Sequence, residues 1–232
     1  MVPTVFIVIV GTVTFYGLLA SPLANKLGIA SRNPRGILFA GADGWIRKLS
    51  KALIDDGHEV LLLDTNYSNI AAATMDGIPA KRANILSEYV EEELDFAGLG
   101  QLVTGTHNDE VNSLAANEFT HIFGSAEVWQ VAPLDDKSHH TTAVAARMRG
   151  RIIFPGRPNH KELSRMSADG MEIKTTAITE QHSYNDFCSR NPDAILLFVN
   201  HPEKGLHPAY DNMKHPGVGC TLYAFVPPIT IS

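Results

Sequence analysis

Short apolar runs alternate with helix-like segments through the middle of the chain, and this pattern limits the fold more than any other feature. Strand candidates lie at Ile37–Ala40, Glu59–Leu63, Ala80–Ile85, Gln101–Thr104 and Glu127–Ala132. Helix candidates separate them at Ile46–Asp56, Asn69–Met75, Glu88–Leu94 and Asp109–Phe119. Because consecutive parallel strands need a crossover between them, the alternation predicts an α/β fold with a doubly wound parallel sheet.

A glycine turn and a carboxylate follow the first two predicted strands. Gly41 ends the first strand and Asp64 ends the second, 23 residues later. In such sheets ligands bind at the carboxyl ends of the strands, and an acid about 20 residues after the glycine turn binds the ribose of a dinucleotide. A carboxylate there accepts both ribose hydroxyls and repels a 2′-phosphate. The spacing therefore favours NAD or another adenine nucleotide over NADP.

The loop after the first strand departs from the G-x-G-x-x-G pattern. It reads Gly41-Ala42-Asp43-Gly44-Trp45-Ile46, so Asp43 and Ile46 take the places of the second and third glycines. Asp43 puts a negative charge where backbone should approach pyrophosphate, and Ile46 is expected to push the helix away from the sheet. With Gly44 as the second glycine, the helix start still offers N–H groups to one phosphate. Two interpretations stay open: an adenine-nucleotide site, and a Rossmann-shaped fold that binds no nucleotide.

The first 25 residues contain no ionisable side chain, and the first charge is Lys26. As a helix, the residues from Val2 to Ala24 reach about 35 Å, enough to cross a hydrocarbon layer about 30 Å thick. Several basic residues follow, which by the positive-inside bias places the rest of the chain in the cytoplasm. We expect a transmembrane helix over 1–27 and a linker over 28–36. A buried core helix or strand pair is the alternative.

Composition excludes several classes of protein. A net charge of −6 argues against nucleic acid as a partner, because nucleic-acid binders carry a basic surplus. The two cysteines, Cys188 and Cys220, rule out a disulfide framework and a structural zinc site. Neither G-x-S-x-G nor G-x-x-x-x-G-K-[ST] occurs, and no histidine spacing matches a known metal site. We therefore predict no catalytic residue, no metal ligand and no enzyme activity.

Two runs of sequence resemble a known sensor module. They are ILFAGADGWIRKLSKALIDDGHEVLLLDTN (37–66) and TGTHNDEVNSLAANEF (104–119), of which the string from Thr106 to Asn112 is the most specific. Both look like the TrkA-N, or RCK amino-terminal, domain. The closer resemblance is to the cytoplasmic tail of bacterial NhaP-type cation:proton antiporters, through Trp45-Ile46-Arg47 and Asp64-Thr65-Asn66. The segment GTVTFYGLLASPLANKLGIA resembles the last membrane helix of such an exchanger.

The resemblance implies a function and its partners. It implies the cytoplasmic, nucleotide-sensing portion of a monovalent cation (Na⁺ or K⁺):proton antiporter in the bacterial inner membrane. The partners are then the membrane part of the antiporter and a second copy in a homodimer, and the cofactor is NAD(H) or another adenine nucleotide, or none. A soluble NAD-dependent oxidoreductase and a non-binding structural dimerisation tail are the alternatives.

The cofactor-binding residues that follow from this resemblance all lie at predicted strand ends or helix starts. They are Gly41, Ala42, Asp43, Gly44, Asp64, Thr65, Asn66, Asn84, Thr106 and Asn108. His107 lies beside Asn108 and is a candidate for pH sensing.

The last third of the chain gives a weaker pattern. A Rossmann domain over 37–133 is followed by a polar linker over 134–148 and a small β-rich domain over 149–232. Strands are predicted at Ile152–Phe154, Met171–Ile178, Ala194–Val199 and Thr221–Val226. The segment Thr179–Tyr184 is predicted as a loop. His201, His207 and His215 share a Pro/Gly-rich stretch with Glu203 and Asp211, where a weak metal site is the alternative to exposed loop residues.

Overall fold

The computed structural model describes residues 2–26, 35–134 and 149–228. Within these, the chain forms two compact units. The smaller unit contains helix α1 (Val2–Lys26) and residues Asp95–Gly98. The larger unit contains Arg35–Leu94 and the chain from Leu99 onward, with all the other helices and strands.

Helix α1 confirms the helix predicted at the amino end, but not the predicted membrane span. Within the part of the chain that the structure describes, no helix combines the length and the apolar character that crossing a membrane requires. The structure gives a helix over Val2–Lys26, and the predicted membrane span over 1–27 is not shown.

Six parallel strands form the larger sheet, in the order β3-β2-β1-β4-β5-β6. Their bounds are Gly36–Ala40 (β1), Val60–Asp64 (β2), Ala80–Arg82 (β3), Leu99–Thr104 (β4), Val128–Gln130 (β5) and Arg151–Ile152 (β6). This is the strand order of the Rossmann fold, in which the order reverses between β1 and β4. The predicted doubly wound parallel sheet is confirmed.

Helices cover this sheet and leave its central strand inaccessible to solvent. They are α2 (Gly44–Asp55), α3 (Tyr67–Met75), α4 (Glu88–Glu93), α5 (Asp109–Glu118) and α6 (Thr120–Phe123). All five residues of β1 are buried, as expected for a parallel strand covered on both faces. Helix α2 buries Trp45, Ile46, Leu49 and Leu53, which recur at helical spacing and face the core.

The carboxyl-terminal segment forms an antiparallel sheet in the order β7-β10-β8-β9. Its strands are Glu172–Ala177 (β7), Ile195–His201 (β8), Gly205–Pro208 (β9) and Thr221–Val226 (β10). Two helices, α7 (His160–Ala168) and α8 (Tyr184–Arg190), were not predicted, so this segment is not purely β-rich. Each begins with a capping box, Asn159 with Glu162 and Ser183 with Asp186, which satisfies the first backbone N–H groups.

The two sheets belong to one compact unit. Strand β6 extends the parallel sheet beside β5, and α7 packs against α2. The core is shared, because the Phe39 and Phe198 rings lie 6.2 Å apart and the Trp45 and Phe154 rings 6.0 Å apart. The predicted boundary at 134–148 lies mostly outside the described residues, and the domain division there stays a prediction.

Candidate functional site

A cavity of about 310 Å³ opens at the carboxyl ends of β1, β2 and β4. Because these strands are parallel and adjacent, the loops that follow them meet at one edge of the sheet. Eight of the ten predicted site residues line the cavity: Gly41, Asp43, Asp64, Thr65, Asn66, Asn84, Thr106 and Asn108. Ala42 and Gly44 are not part of its wall. The structure therefore places most of the predicted residues in one cavity.

Asp64 ends β2 and is already strongly engaged by the protein. Its Oδ2 accepts hydrogen bonds from the backbone N–H of Ala42 at 2.9 Å and from Nδ2 of Asn69 at 2.9 Å. Its Oδ1 accepts from the backbone N–H of Asn66 at 2.8 Å. A carboxylate offers about four acceptor positions. About one acceptor position is therefore left for a ribose hydroxyl. Binding both ribose hydroxyls, as predicted from the sequence, requires Asn69 to move.

Asp43 directly precedes α2 and binds two side chains from distant parts of the chain. One carboxylate oxygen accepts from Nδ2 of Asn69 at 3.0 Å, and the other pairs with Nε2 of His160. The hydrogen bond from His160 is the main cause that lowers the pKa of Asp43, against burial, which raises it. Asn69 and the charges of His160 and His107 lower it further. Asp43 thus places a negative charge at a helix amino end, where a phosphate binds in dinucleotide folds.

Gly41 and Gly105 make room for the large side chains, Trp45 and Ile46, at the start of α2. Gly41 has φ +119°, and a Cβ there would lie 2.9 Å from Cδ1 of Ile46 and 3.0 Å from the Gly105 carbonyl oxygen. A Cβ on Gly105 would lie 3.0 Å from the Trp45 ring. The expectation that Ile46 pushes α2 from the sheet is wrong, because Gly41 and Gly105 leave room for both large side chains. Trp45 and Ile46 are fully buried.

The string from Thr106 to Asn112 folds on itself. Oδ1 of Asn112 accepts from the backbone N–H of Thr106 at 2.9 Å and from its hydroxyl at 2.8 Å. Nδ2 of Asn112 donates to the Thr106 carbonyl at 2.9 Å. Asn108 caps α5 by accepting from the Val111 N–H at 3.1 Å. These contacts close the loop after β4, so part of this motif serves the local fold.

A second cavity of about 350 Å³ adjoins the first and shares His107 with it. Its other lining residues are Asp109, Leu134, Asn159, His160, Lys161 and Ser164. The Asp43–His160 pair joins the walls of the two cavities, since Asp43 lines the first and His160 the second. His160 and Asn69 were missed in the sequence. The Asn-x-x-Glu spacing of Asn159 and Glu162 was the available sign that a helix begins at His160.

The carboxylates that line the first cavity give it a negative charge. Asp43 and Asp64 face it, and among the described residues no lysine or arginine does. Such a lining repels phosphate groups and suits an uncharged ligand with hydroxyl and ring-nitrogen groups. The described residues contain no group of three or more His, Cys, Asp or Glu side chains arranged to hold a metal ion.

Comparison with known proteins gives distant structural likenesses. No protein-family model matches the chain, and no curated protein does. Similar solved structures include the NAD(P)-binding domain of an exopolyphosphatase-related protein from Archaeoglobus fulgidus, at 19% identity over 44% of this chain and 77% of that chain, with a TM-score of 0.39.

The GsuK RCK domain is similar at 8% identity, over 85% of this chain and 45% of that one, with a TM-score of 0.43. The GsuK channel bound to NAD is similar at 10% identity, over 86% of this chain and 38% of that one, with a TM-score of 0.40. The chain thus spans less than half the length of these GsuK structures. Likenesses this distant carry no argument about what the chain binds.

Proposed function

We propose that this chain is a regulatory domain that binds the adenosine part of an adenine nucleotide in the cavity at the ends of β1, β2 and β4. The observation that carries the proposal is the position of Asp64 at the tip of β2 in a Rossmann sheet, with its carboxylate held by three hydrogen bonds. Held in this way, Asp64 presents its remaining acceptor position to a ribose hydroxyl. The volume of about 310 Å³ is at the lower end for small-ligand sites.

Asp43 narrows the ligand class. Its carboxylate stands at the start of α2 and pairs with His160. A pyrophosphate would have to displace this pair or accept repulsion from a like charge. Adenosine and AMP are therefore favoured over ADP and NAD(H), and the phosphate of AMP points away from α2.

The regulatory role follows from where the site lies within the chain. Asp43 belongs to the first half of the chain and His160 to α7, which leads into the antiparallel sheet. A ligand that competes with this pair would change how the two halves are coupled, and regulation needs only a differential affinity of a few kcal/mol.

The protein to which this domain belongs is part of the same proposal. That part rests on the resemblance of residues 37–66 and 104–119 to antiporter tails. The chain is then the cytoplasmic portion of a monovalent cation:proton antiporter of the bacterial inner membrane. It pairs with a second copy, contacts the membrane part of the exchanger and has no catalytic role.

Calorimetric titration of the full chain with adenosine, AMP, ADP, NAD⁺ and NADH tests the ligand class. We expect heat with adenosine and AMP and weaker binding of the pyrophosphates. The Asp64→Asn variant should lose about ten-fold in adenosine affinity, because an amide offers a hydroxyl only one acceptor oxygen and the backbone N–H groups lose their charged partner. Asp193→Asn, at an exposed turn, is the matched control.

Each alternative function has its own outcome in this experiment. Absence of heat with all five compounds would overturn the proposed nucleotide-sensing function. The non-binding structural dimerisation tail would then be the remaining interpretation. Turnover of NADH with a reducible substrate would instead favour the oxidoreductase. In vesicles that contain the complete exchanger, Asp64→Asn should remove the response of cation:proton exchange to adenosine while exchange itself persists. A full response in that variant contradicts the regulatory site.

A further inference from the structure

A separate cavity of about 450 Å³ lies in the second half of the chain. Residues from β5 and β6 form one side of it, and residues from β8, β9 and the loop before β10 form the others. Val199, Pro208 and Cys220 are buried and give it an apolar base. Among the described residues, none lines both this cavity and the cavity proposed for adenosine.

The lining of this cavity is basic, although the chain as a whole is acidic. Arg151, Lys204 and Lys214 line it, and Glu127 is the one acidic side chain among its described lining residues. The net charge of the chain is −6, so this is a local concentration of positive charge. Charge of one sign on the walls of a cleft attracts and concentrates ligands of the opposite sign.

Arg151 is held in place by aromatic side chains. Its guanidinium carbon lies 3.9 Å from the centre of the Trp129 ring and 5.3 Å from that of the Tyr210 ring. The two rings stack on each other with centres 5.8 Å apart, and Nη1 of Arg151 donates to the Ala126 carbonyl at 2.8 Å. Stacking and one backbone bond fix the guanidinium and leave most of its five N–H groups for a ligand.

The two lysines form no ion pair with any described residue. The side chains of Lys204 and Lys214 are both exposed. Three cations line one small cavity, and two of them have no ion-pair partner in the part of the chain that the structure describes, which matches a group with several negatively charged oxygens. A phosphate ester is such a group, because Arg and Lys donate charge-assisted hydrogen bonds to its oxygens.

We propose that this cavity binds a small phosphorylated compound that carries hydroxyl groups. The phosphate lies on Arg151, Lys204 and Lys214, and Glu127 accepts a hydrogen bond from a hydroxyl. The volume exceeds what a phosphate group alone needs, so the organic part occupies the apolar base. The proposal is independent of adenosine binding, since the described linings of the two sites have no residue in common.

Calorimetry with glucose 6-phosphate, glucose and inorganic phosphate tests this site on the full chain at low salt. We expect glucose 6-phosphate to bind more tightly than inorganic phosphate, and glucose not to bind. The double variant Lys204→Met with Lys214→Met should weaken glucose 6-phosphate binding about ten-fold or more. The matched control is Lys51→Met with Lys174→Met, which removes the same charge at exposed positions on α2 and β7.

The outcomes are distinct from those of the adenosine site. Equal loss in both double variants would assign the effect to general charge and overturn the site, and so would the absence of binding by glucose 6-phosphate. Asp64→Asn should leave glucose 6-phosphate binding within two-fold. Adenosine binding should be unchanged by the Lys204 and Lys214 substitutions. Because both lysines are exposed, these variants are expected to fold.

Discussion

At the scale of single residues, Asp43 shows how one side chain changes the ligand that a site accepts. Its carboxylate takes two hydrogen-bonding partners, Asn69 and His160, at the start of α2. A ligand phosphate would need the same helix amino end, so the side chain and the phosphate compete for one position. The same carboxylate joins the two halves of the chain. Selectivity against pyrophosphate and coupling between the halves thus depend on one charge.

Replacing Asp43 by asparagine should reverse the proposed preference among nucleotides. The amide removes the negative charge, so ADP affinity should rise about ten-fold while adenosine affinity stays within two-fold. Parallel titrations of ADP and adenosine into wild type and Asp43→Asn measure this. Unchanged ADP affinity would show that Asp43 does not set the ligand class. Asp55→Asn, at the other end of α2, is the control for general charge.

A second residue-scale prediction concerns His58. Burial lowers the pKa of His58, and Asp56 opposes the shift. Nδ2 of Asn200 lies 3.4 Å from its Nε2, a contact that suits the neutral ring as acceptor. The unfolded chain binds the proton more strongly, so stability is highest above pH 6.5 and falls as the pH decreases through the lowered folded-state pKa.

Urea unfolding at pH 7.5 and pH 5 measures this effect. The loss of stability between the two pH values should be smaller in His58→Gln than in wild type. His182→Gln, at an exposed position, should keep the wild-type loss. If His58→Gln loses as much stability as wild type, the described burial of His58 has no thermodynamic effect.

At the scale of elements, the packing of α2 on the sheet depends on the absence of a Cβ atom at Gly41 and at Gly105. Two large side chains at the start of α2, Trp45 and Ile46, enter the space that Cβ atoms would occupy at these two positions. Dinucleotide folds use glycine in this loop so that pyrophosphate approaches the backbone. Here glycine instead admits apolar side chains of the protein. A glycine at this position is therefore no evidence for a phosphate ligand.

Replacing Gly105 by alanine should lower the free energy of unfolding by about 1–3 kcal/mol. The new Cβ would lie 3.0 Å from the Trp45 ring, which is fully buried and has little room to move. Gly217→Ala is the matched control, because a Cβ there meets no atom within 4 Å. Urea unfolding of both variants checks the prediction. Equal stability of the two would show that the core accommodates the extra carbon.

At the scale of the whole molecule, the two sheets of the larger unit share an apolar cluster. Phe198 of β8 lies between Phe39 of β1 and Phe154, with ring centres at 6.2 and 6.4 Å. Lys48 of α2 donates to the Met171 carbonyl at 2.8 Å, beside the start of β7. The parallel and antiparallel sheets therefore share buried contacts, and we expect them to unfold together.

Phe198→Ala should lower the stability of both sheets by the same amount, about 3–5 kcal/mol. Tryptophan fluorescence reports Trp45 and Trp129 in the parallel half. Hydrogen exchange of β10 amides reports the antiparallel half. Both probes should give one transition at the same urea concentration, shifted equally from wild type, whereas Thr175→Ala on an exposed strand should shift neither. A shift confined to β10 would contradict a shared core.

Most of the parallel sheet could be predicted, because its strands are local apolar runs between helices and the strand type follows from that alternation. The carboxyl-terminal segment was harder to predict. Helices α7 and α8 are short, and their polar caps are a weaker pattern than an apolar stripe. Strand β9 contains His207 and Pro208 and forms only by pairing with β8. Its existence depends on the partner strand.

The sequence by itself determined the doubly wound parallel sheet and the edge of the sheet where polar residues gather, because both follow from local periodicity and from the direction of parallel strands. Only the tertiary structure decided what those residues do. His160, one of the two partners of Asp43, is 117 residues away, and the Trp45 ring is accommodated by Gly105 in the loop after β4. Contacts between positions so distant in the chain produce no periodic pattern in the sequence. These contacts nevertheless decide which charged groups remain available to a ligand.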